Sequence, residues 1–327
     1  MKYKILSIAR QIGFLLLVVW TVVSIVTLLI EIIPGSPAIA ALGEDAKPEA
    51  IANFNHIHGL DKPAFFFSYS GKEGFAWNGA DNRYLTYWKG VLTGDLGRSF
   101  QGEGRPVLDR ILERYPATIK LAIAALLVAV AIAVPLGVLA GTNKNTWIDN
   151  FASFFALLGI SLPTFVIGPF LVYLLAVKYR IFSPTGSGNL KDIVLPAITL
   201  GAALSAILTR MIRSSVIEEL DEDYVRTARA KGLSEKKVVY KHVLKNGLIP
   251  VVTILGLQLG VLLAGAIITE KIFGWQGIGL LLLDEGIAKR DYRVIQGCVL
   301  VISVTYILAN SLTDWVYRWL DPRIRLT

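Results

Sequence analysis

His56 and His58 come nearest, by type and spacing, to a metal site, because imidazole is the commonest metal ligand. At a separation of two they point to different faces of a helix, and no third ligand lies near them. The third histidine, His242, stands alone in a basic stretch. Cys298 is the single cysteine and sits in an apolar run, which removes a disulfide scaffold. No G-x-x-x-x-G-K-[ST] loop is present to cradle phosphates, and no H-E-x-x-H pair to hold zinc. A G-x-S-x-G nucleophile turn is also missing.

The apolar runs lack charge as well. Carriers driven by ion gradients place Asp, Glu, His or Arg inside their spans, at a cost that only coupling justifies. Here Leu121 to Thr142, Ile249 to Thr269 and Val294 to Thr313 carry no charge, and none lies between Asp149 and Lys178. Gln258, Gln296 and Asn310 read as helix–helix hydrogen bonds rather than ligand sites. Energy is therefore expected to arrive from outside the bilayer, which disfavours both a gradient-driven transporter and a polytopic membrane enzyme.

The elements that must position any function are membrane spans. Hydrophobic residues without glycine make up 54% of the 327, and charged residues 18% where about 25% is usual. Six runs reach the roughly 20 residues a bilayer crossing needs: about 11–33, 119–140, 148–177, 193–209, 249–269 and 294–313. The expected fold is all-α and polytopic, with six transmembrane helices and a small helical extracytoplasmic domain. A kink or break is expected in the third span at Pro163 or Gly168-Pro169. The first span is too long for a signal-peptide core and reads as a retained anchor.

Charge orients the chain. Segments 1–10, 141–147, 210–248 and 318–327 hold sixteen Lys and Arg, against seven in 178–192 and 270–293; segment 34–117 is too long to count. Both termini are expected on the cytoplasmic side of the membrane. The net charge of +8 thus reflects topology, and no nucleic-acid partner is expected. The chain divides into 1–33 with the first span, an extracytoplasmic segment 34–117, a five-span core 118–317 containing the cytoplasmic loop 210–248, and a tail 318–327. Within 34–117 helices are expected from Lys47-Pro48-Glu49 to His58, stopped by Gly59, and over Tyr84–Leu96, with Leu85, Trp88, Leu92 and Leu96 on one face. Another opens at Arg105-Pro106, with Val107, Ile111 and Leu112 together.

Asp223–Pro250 holds the most information. Asp223 is a suitable N-cap for a helix over Tyr224–Lys231, with Arg229 and Lys231 favourable near its C-terminus. Gly232 stands where a left-handed residue ends a helix, and Ser234 caps a second. The loop is either a solvated basic anchor or a docking corner; the small residues Thr227, Ala228 and Ala230 favour a surface that another protein grips.

The run DYVRTARAKGL, followed by HVLKNGLIP, resembles the EAA loop of ABC-importer permeases of the oligopeptide, dipeptide and nickel branch. Pro34-Gly35-Ser36-Pro37, Gly59-Leu60-Asp61-Lys62-Pro63, Gly94-Asp95-Leu96-Gly97-Arg98-Ser99, Arg105-Pro106-Val107 and Pro116-Ala117-Thr118 are similar to blocks of that branch. So are Gly256-Leu257-Gln258, Glu270 with Phe273-Gly274-Trp275, Asp291-Tyr292 and Asp321-Pro322-Arg323. Arg226-Thr227-Ala228 replaces Glu-Ala-Ala, as in peptide importers. The Leu-Pro ending falls on Leu244-Lys245, so the second helix is expected to run toward Pro250. Ala64–Leu85 looks like an aromatic insertion, either packed on the outer domain, or reaching a binding protein or overhanging the path entrance.

The resemblance implies half of a translocation path in a bacterial inner membrane, paired with a second permease, two cytoplasmic ATPases and an extracytoplasmic binding protein. Coupling to the ATPase would fall to Tyr224, Arg226, Thr227, Ala228, Ala230, Lys231, Gly232 and Leu233. No cofactor is expected in this subunit, ATP and Mg belonging to the ATPases; no catalytic site is expected. Peptides, nickel chelates, glutathione-like or opine-like cargo fit equally.

Overall fold

The computed structural model describes residues 2–32, 35–70, 74–101 and 104–320. Ile33, Pro34 and Asp321-Pro322-Arg323 lie outside them, as does 321–327 of the tail. The elements run α1 (Lys2–Ile32), α2 (Pro37–Leu42), α3 (Pro48–His58), β1 (Phe67–Ser70), β2 (Gly74–Trp77), α4 (Arg83–Thr93) and α5 (Val107–Thr142). They continue with α6 (Trp147–Ser161), α7 (Thr164–Leu171), a π-helical turn (Val172–Lys178), α8 (Val194–Leu220), α9 (Asp223–Ala230) and α10 (Glu235–Lys237). A second π turn (Val238–Val243) leads to α11 (Leu244–Gly247), α12 (Ile249–Leu263), α13 (Ile267–Phe273) and α14 (Ile278–Leu281). A third (Leu282–Ile287) precedes α15 (Tyr292–Leu320).

Among the described residues four helices are long and apolar enough to cross a membrane, and two bent pairs raise the number to six if each pair is one span. These correspond to the six runs of the sequence, with changes at their ends. The third is broken by 100° between α6 and α7. Its cause is local: Leu162, before Pro163, is extended at φ −91° and ψ 114°, because the proline ring excludes the helical region for its predecessor. The fifth stops at Leu263 rather than Thr269, since Gly265 takes φ +102° and the chain restarts as α13. Its approach bends by 50° between Gly247 and Ile249. On the outer side, Val107 opens the same helix that becomes the second span, so the expected separate helix there does not exist.

The chain folds as two compact units. One comprises Met1–Pro116 with Gly277–Thr305, the other Ala117–Gln276 with Tyr306–Thr327. In the first, α3 ends at Gly59, left-handed at φ +65°, and α4 ends at Gly94, at φ +78°. Asn82 caps α4 by accepting from the Leu85 N–H at 2.9 Å. The buried face of α4 carries Tyr84 and Tyr87, while Leu92 is 84% exposed, so the leucine stripe read from the sequence is not the packed one. Leu112 is likewise exposed beside the buried Val107 and Ile111. The insertion adds strands to an otherwise helical chain: β1 and β2 form an antiparallel hairpin pairing Phe67 with Trp77 and Tyr69 with Phe75.

In the second unit α5 and α8 approach at small residues. Ala125, Ala129 and Ala133 of α5 are fully buried, and a Cβ on Gly137 would lie 2.6 Å from Ile212 Cβ. Gly201 of α8 likewise faces Val128, with a Cβ contact of 2.7 Å. Lipid tails are as apolar as leucine, so close van der Waals packing of this kind is what holds helices together in a bilayer. Asp149 and Arg213 tie α6 to α8 through a two-pronged ion pair, with Arg213 Nη2 donating at 2.8 Å.

Candidate functional site: an exposed corner after α8

The corner begins one turn beyond α8. Glu222 rather than Asp223 takes the N-cap conformation, at φ −71° and ψ 147°, and Asp223 becomes the first helical residue. There its carboxylate still complements the positive end of the helix dipole. At the other end Gly232 adopts φ +74°, its N–H bonding Arg229 O at 2.9 Å, while the Leu233 N–H reaches Ala228 O at 3.4 Å. That pair of bonds is the Schellman arrangement, and it satisfies carbonyls the helix end would orphan. Ser234 then starts α10, and Arg229 Nε donates to Glu235 Oε1 at 2.7 Å across the turn. Through a π turn and α11 the second helix reaches Gly247, as the run toward Pro250 anticipates.

The inside of the corner is apolar. Val225 and Ala228 of α9 join Val238, Val239, Val243 and Leu244 in one core with Leu208, Ile212 and Val216 of α8. Tyr224 is half-buried; its hydroxyl donates to Glu219 on α8. Burial, with the Glu219 carboxylate beside it, pushes the phenol up to about 12.

Of the eight residues read from the sequence, Arg226, Thr227, Ala230, Lys231 and Gly232 are exposed, while Tyr224 and Leu233 are half-buried. Ala228 is buried and packs into the core beneath the corner, reaching the surface only at its edge. Tyr224, Thr227, Ala228, Lys231 and Leu233 line an open concavity of about 510 Å³, joined by Lys241 and His242. Arg226 turns instead to Asp223 at 3.5 Å. Lys241 and His242 were visible in the sequence only as part of a lysine-rich run; the turn at Gly232 is what returns them to α9. The concavity offers cationic donors around a small apolar floor, a surface complementary to acidic and apolar protein groups, and contains no nucleophile paired with a base.

The scattered sequence blocks also meet, by unit. In the second unit Thr118 Oγ1 donates to the fully buried Glu270 at 3.0 Å, and Trp275 Nε1 donates to Ala117 O at 2.9 Å. In the first, the buried Asp291 carboxylate accepts from Ser99 Oγ at 2.6 Å and the Phe100 N–H at 2.7 Å. It also caps α15 through the Val294 N–H at 3.2 Å. Gln296 acts as the expected helix–helix hydrogen bond, donating to Thr27 Oγ1 of α1 at 3.0 Å. The histidines diverge: His56 Nδ1 lies 2.9 Å from Asp61, whereas His58 packs between Phe54 and Phe100. Among the described residues no three His, Cys, Asp or Glu side chains gather as a metal site.

Residues 133–326 match the family described as binding-protein-dependent transport system inner membrane component, and residues 4–122 match its N-terminal companion. The dipeptide transport system permease protein DppB of Alkalihalophilus pseudofirmus is 38% identical over 325 residues, covering 91% of this chain and 92% of that one. The glutathione transport system permease protein GsiC of Shigella flexneri is 38% identical over 301 residues, 92% of each chain. Among solved structures, an inward-facing form of the MetNI methionine ABC transporter aligns with a TM-score of 0.55 at 19% identity. It covers 65% of this chain and 97% of that one, and this shows the shared permease fold. Family, relatives and apolar helices together make this chain a multi-pass inner membrane protein that works with other components of an ABC system. It belongs to the binding-protein-dependent transport system inner membrane component family and is a permease subunit of an ABC importer.

Proposed function

We propose that this chain forms half of a translocation path for peptides, with glutathione-like molecules inside the same class, and that α9 is its coupling helix. The observation that carries the coupling role is the corner itself: a cationic concavity presented outward by a core continuous with α8. Tyr224, Thr227, Lys231 and Leu233 meet a groove of a cytoplasmic ATPase, Gly232 sets the angle, and Arg226, Ala230 and the buried Ala228 shape the approach. The partners are a second permease, two ATPases that hold ATP and Mg, and an extracytoplasmic binding protein. This subunit contributes no cofactor of its own. Both termini face the cytoplasm, on the same side as the corner. ATP-driven closure of the ATPases rocks the spans and opens the path alternately to each side. Peptide cargo is favoured over a nickel chelate by the names of the relatives, DppB and GsiC.

Gly232→Val tests the coupling role. A Cβ at Gly232 meets nothing within 4 Å, so the substitution acts through the left-handed backbone alone, at a cost of about 1–2 kcal/mol. Membrane insertion should persist while ATPase association and transport fall, and Gly232→Asn, which tolerates that conformation, should retain more of both. Normal transport in the valine variant would sink the coupling role. Uptake into reconstituted vesicles should also continue with saturating ATP after the proton and sodium gradients are collapsed; its arrest by ionophore would reveal an overlooked coupling residue.

A further inference from the structure

The hairpin of β1 and β2 carries three aromatic side chains that stay largely exposed: Phe67 is 61% exposed, Phe75 80% and Trp77 65%. Ser68 and Ala76 pair across the ladder between the aromatic positions. A two-stranded hairpin is marginal in water without a third surface to pack on, so so much exposed aromatic area calls for an occupant.

Contacts within the same unit fix how far the hairpin stands from the membrane. Trp77 stacks on Phe66 with ring centroids 5.9 Å apart, and Phe66 meets Tyr84 at 6.3 Å. The Tyr84 hydroxyl lies 2.7 Å from Ser24 Oγ, inside the first span. Beside it Arg83, the first residue of α4, pairs with Glu31 in the last turn of α1 at 2.7 Å. The apolar window Gly13–Ile32 has 20 residues, a length of about 30 Å that equals the hydrocarbon thickness. Ser24 therefore lies about 12 Å inside the boundary marked by Ile32. Even if the path from the Ser24 backbone through the Tyr84 ring and Phe66 ran straight along the bilayer normal, the centre of the Trp77 indole would stand about 8 Å above that boundary, and every bend in the path brings it closer. The interfacial layer of each leaflet is about 5–7 Å deep.

We propose that the hairpin is a lipid-interface anchor, with Phe67, Phe75 and Trp77 seated at the boundary between headgroups and acyl chains. Rings with an apolar body and, in tryptophan, a polar N–H favour that zone. Such an anchor holds the outer segment against the bilayer beside α1.

The test uses the full-length chain, with the partners that co-purify, in phosphatidylethanolamine and phosphatidylglycerol nanodiscs. Cys298 is the single native cysteine and is buried, so a nitroxide can be placed selectively at Phe75→Cys or Ser68→Cys. Label 75 should collide with oxygen in preference to a water-soluble nickel chelate, and label 68 should show a lower ratio. Chelate access at both sites overturns the anchor. So does protection of label 75 that appears only on adding the binding protein, which would make the hairpin a protein-docking surface. Should the labelled variants fail to assemble, quenching of the native tryptophans by brominated lipid decides. Trp77→Phe should lower the quenchable emission relative to the unsubstituted assembly, and an unchanged quenchable emission overturns the proposal.

Discussion

The corner at Asp223–Gly247 and the outer segment at 37–106 are both extramembrane chain, yet they are held by different forces. The corner is a two-helix turn whose interior is aliphatic: Val225, Val238 and Val243 are fully buried against Val216 and Ile212. In the outer segment α3 contributes no buried residue, and order comes from aromatic rings and from directional hydrogen bonds into Asp291 and Asn82. Aliphatic packing is non-directional and spread over many atoms, so α9 and α8 share one continuous core. A carboxylate hub instead concentrates stability in one side chain.

The comparison breaks most readily at the hub. Asp291→Ala removes the acceptor for Ser99 and Phe100 and the cap of α15, leaving buried donors unmatched, and should cost about 3 kcal/mol or more. Hydrogen exchange should show protection lost around 94–100 and the start of α15 and retained in the corner. Equal loss in both regions would mean that the hub serves the whole chain.

A smaller effect, about 2 kcal/mol, is expected from Val238→Ala, which opens a cavity in the corner core. Here exchange should rise in α9 and the π turn, and ATPase co-purification should weaken, with the outer segment unaffected. If association is untouched while the corner loosens, packing beneath α9 is not what presents the coupling surface.

The smallest effect concerns pH in the outer segment. Burial against Phe54 and Phe100 holds His58 below its ordinary 6.5, outweighing the attraction of Asp291. Because the folded value is depressed, the neutral ring's contribution is full above 6.5 and is lost as pH falls through the lowered folded value. Thermal stability of the outer segment should fall on acidification across that window, and His58→Phe should flatten the dependence. An identical pH profile in the variant would exclude His58 as the titrating group.

Much of this was legible in single residues because it is local. Pro163 breaks the third span through the geometry of its own ring, and Gly59 and Gly232 end their helices by taking a conformation other residues resist; Gly94 ends α4 in the same way, short of the Leu96 expected from the sequence. The helix, glycine and helix of the corner could likewise be read from the chain, since they follow one another within it. Ala228 shows where that reading stopped: a small residue fits an exposed grip or a tight core equally well, and only the packing of α9 on the π turn sends it inward. The leucine stripe of α4 misled for a related reason, because the tyrosines at 84 and 87 have a hydroxyl partner in α1 or a place in the buried face, while Leu92 is left largely exposed.

Composition, span number, helix ends and family membership were thus properties of the amino-acid sequence itself, set by hydropathy and by backbone chemistry acting over a few residues. Which faces are buried was decided by the tertiary structure, because spans apolar all round have no periodicity to show which side meets a neighbour. The same holds for the bond between Ser99 and Asp291 and for the aromatic ladder from Trp77 down to Ser24. Those depend on residues far apart in the chain arriving at one place, and no local preference encodes that meeting.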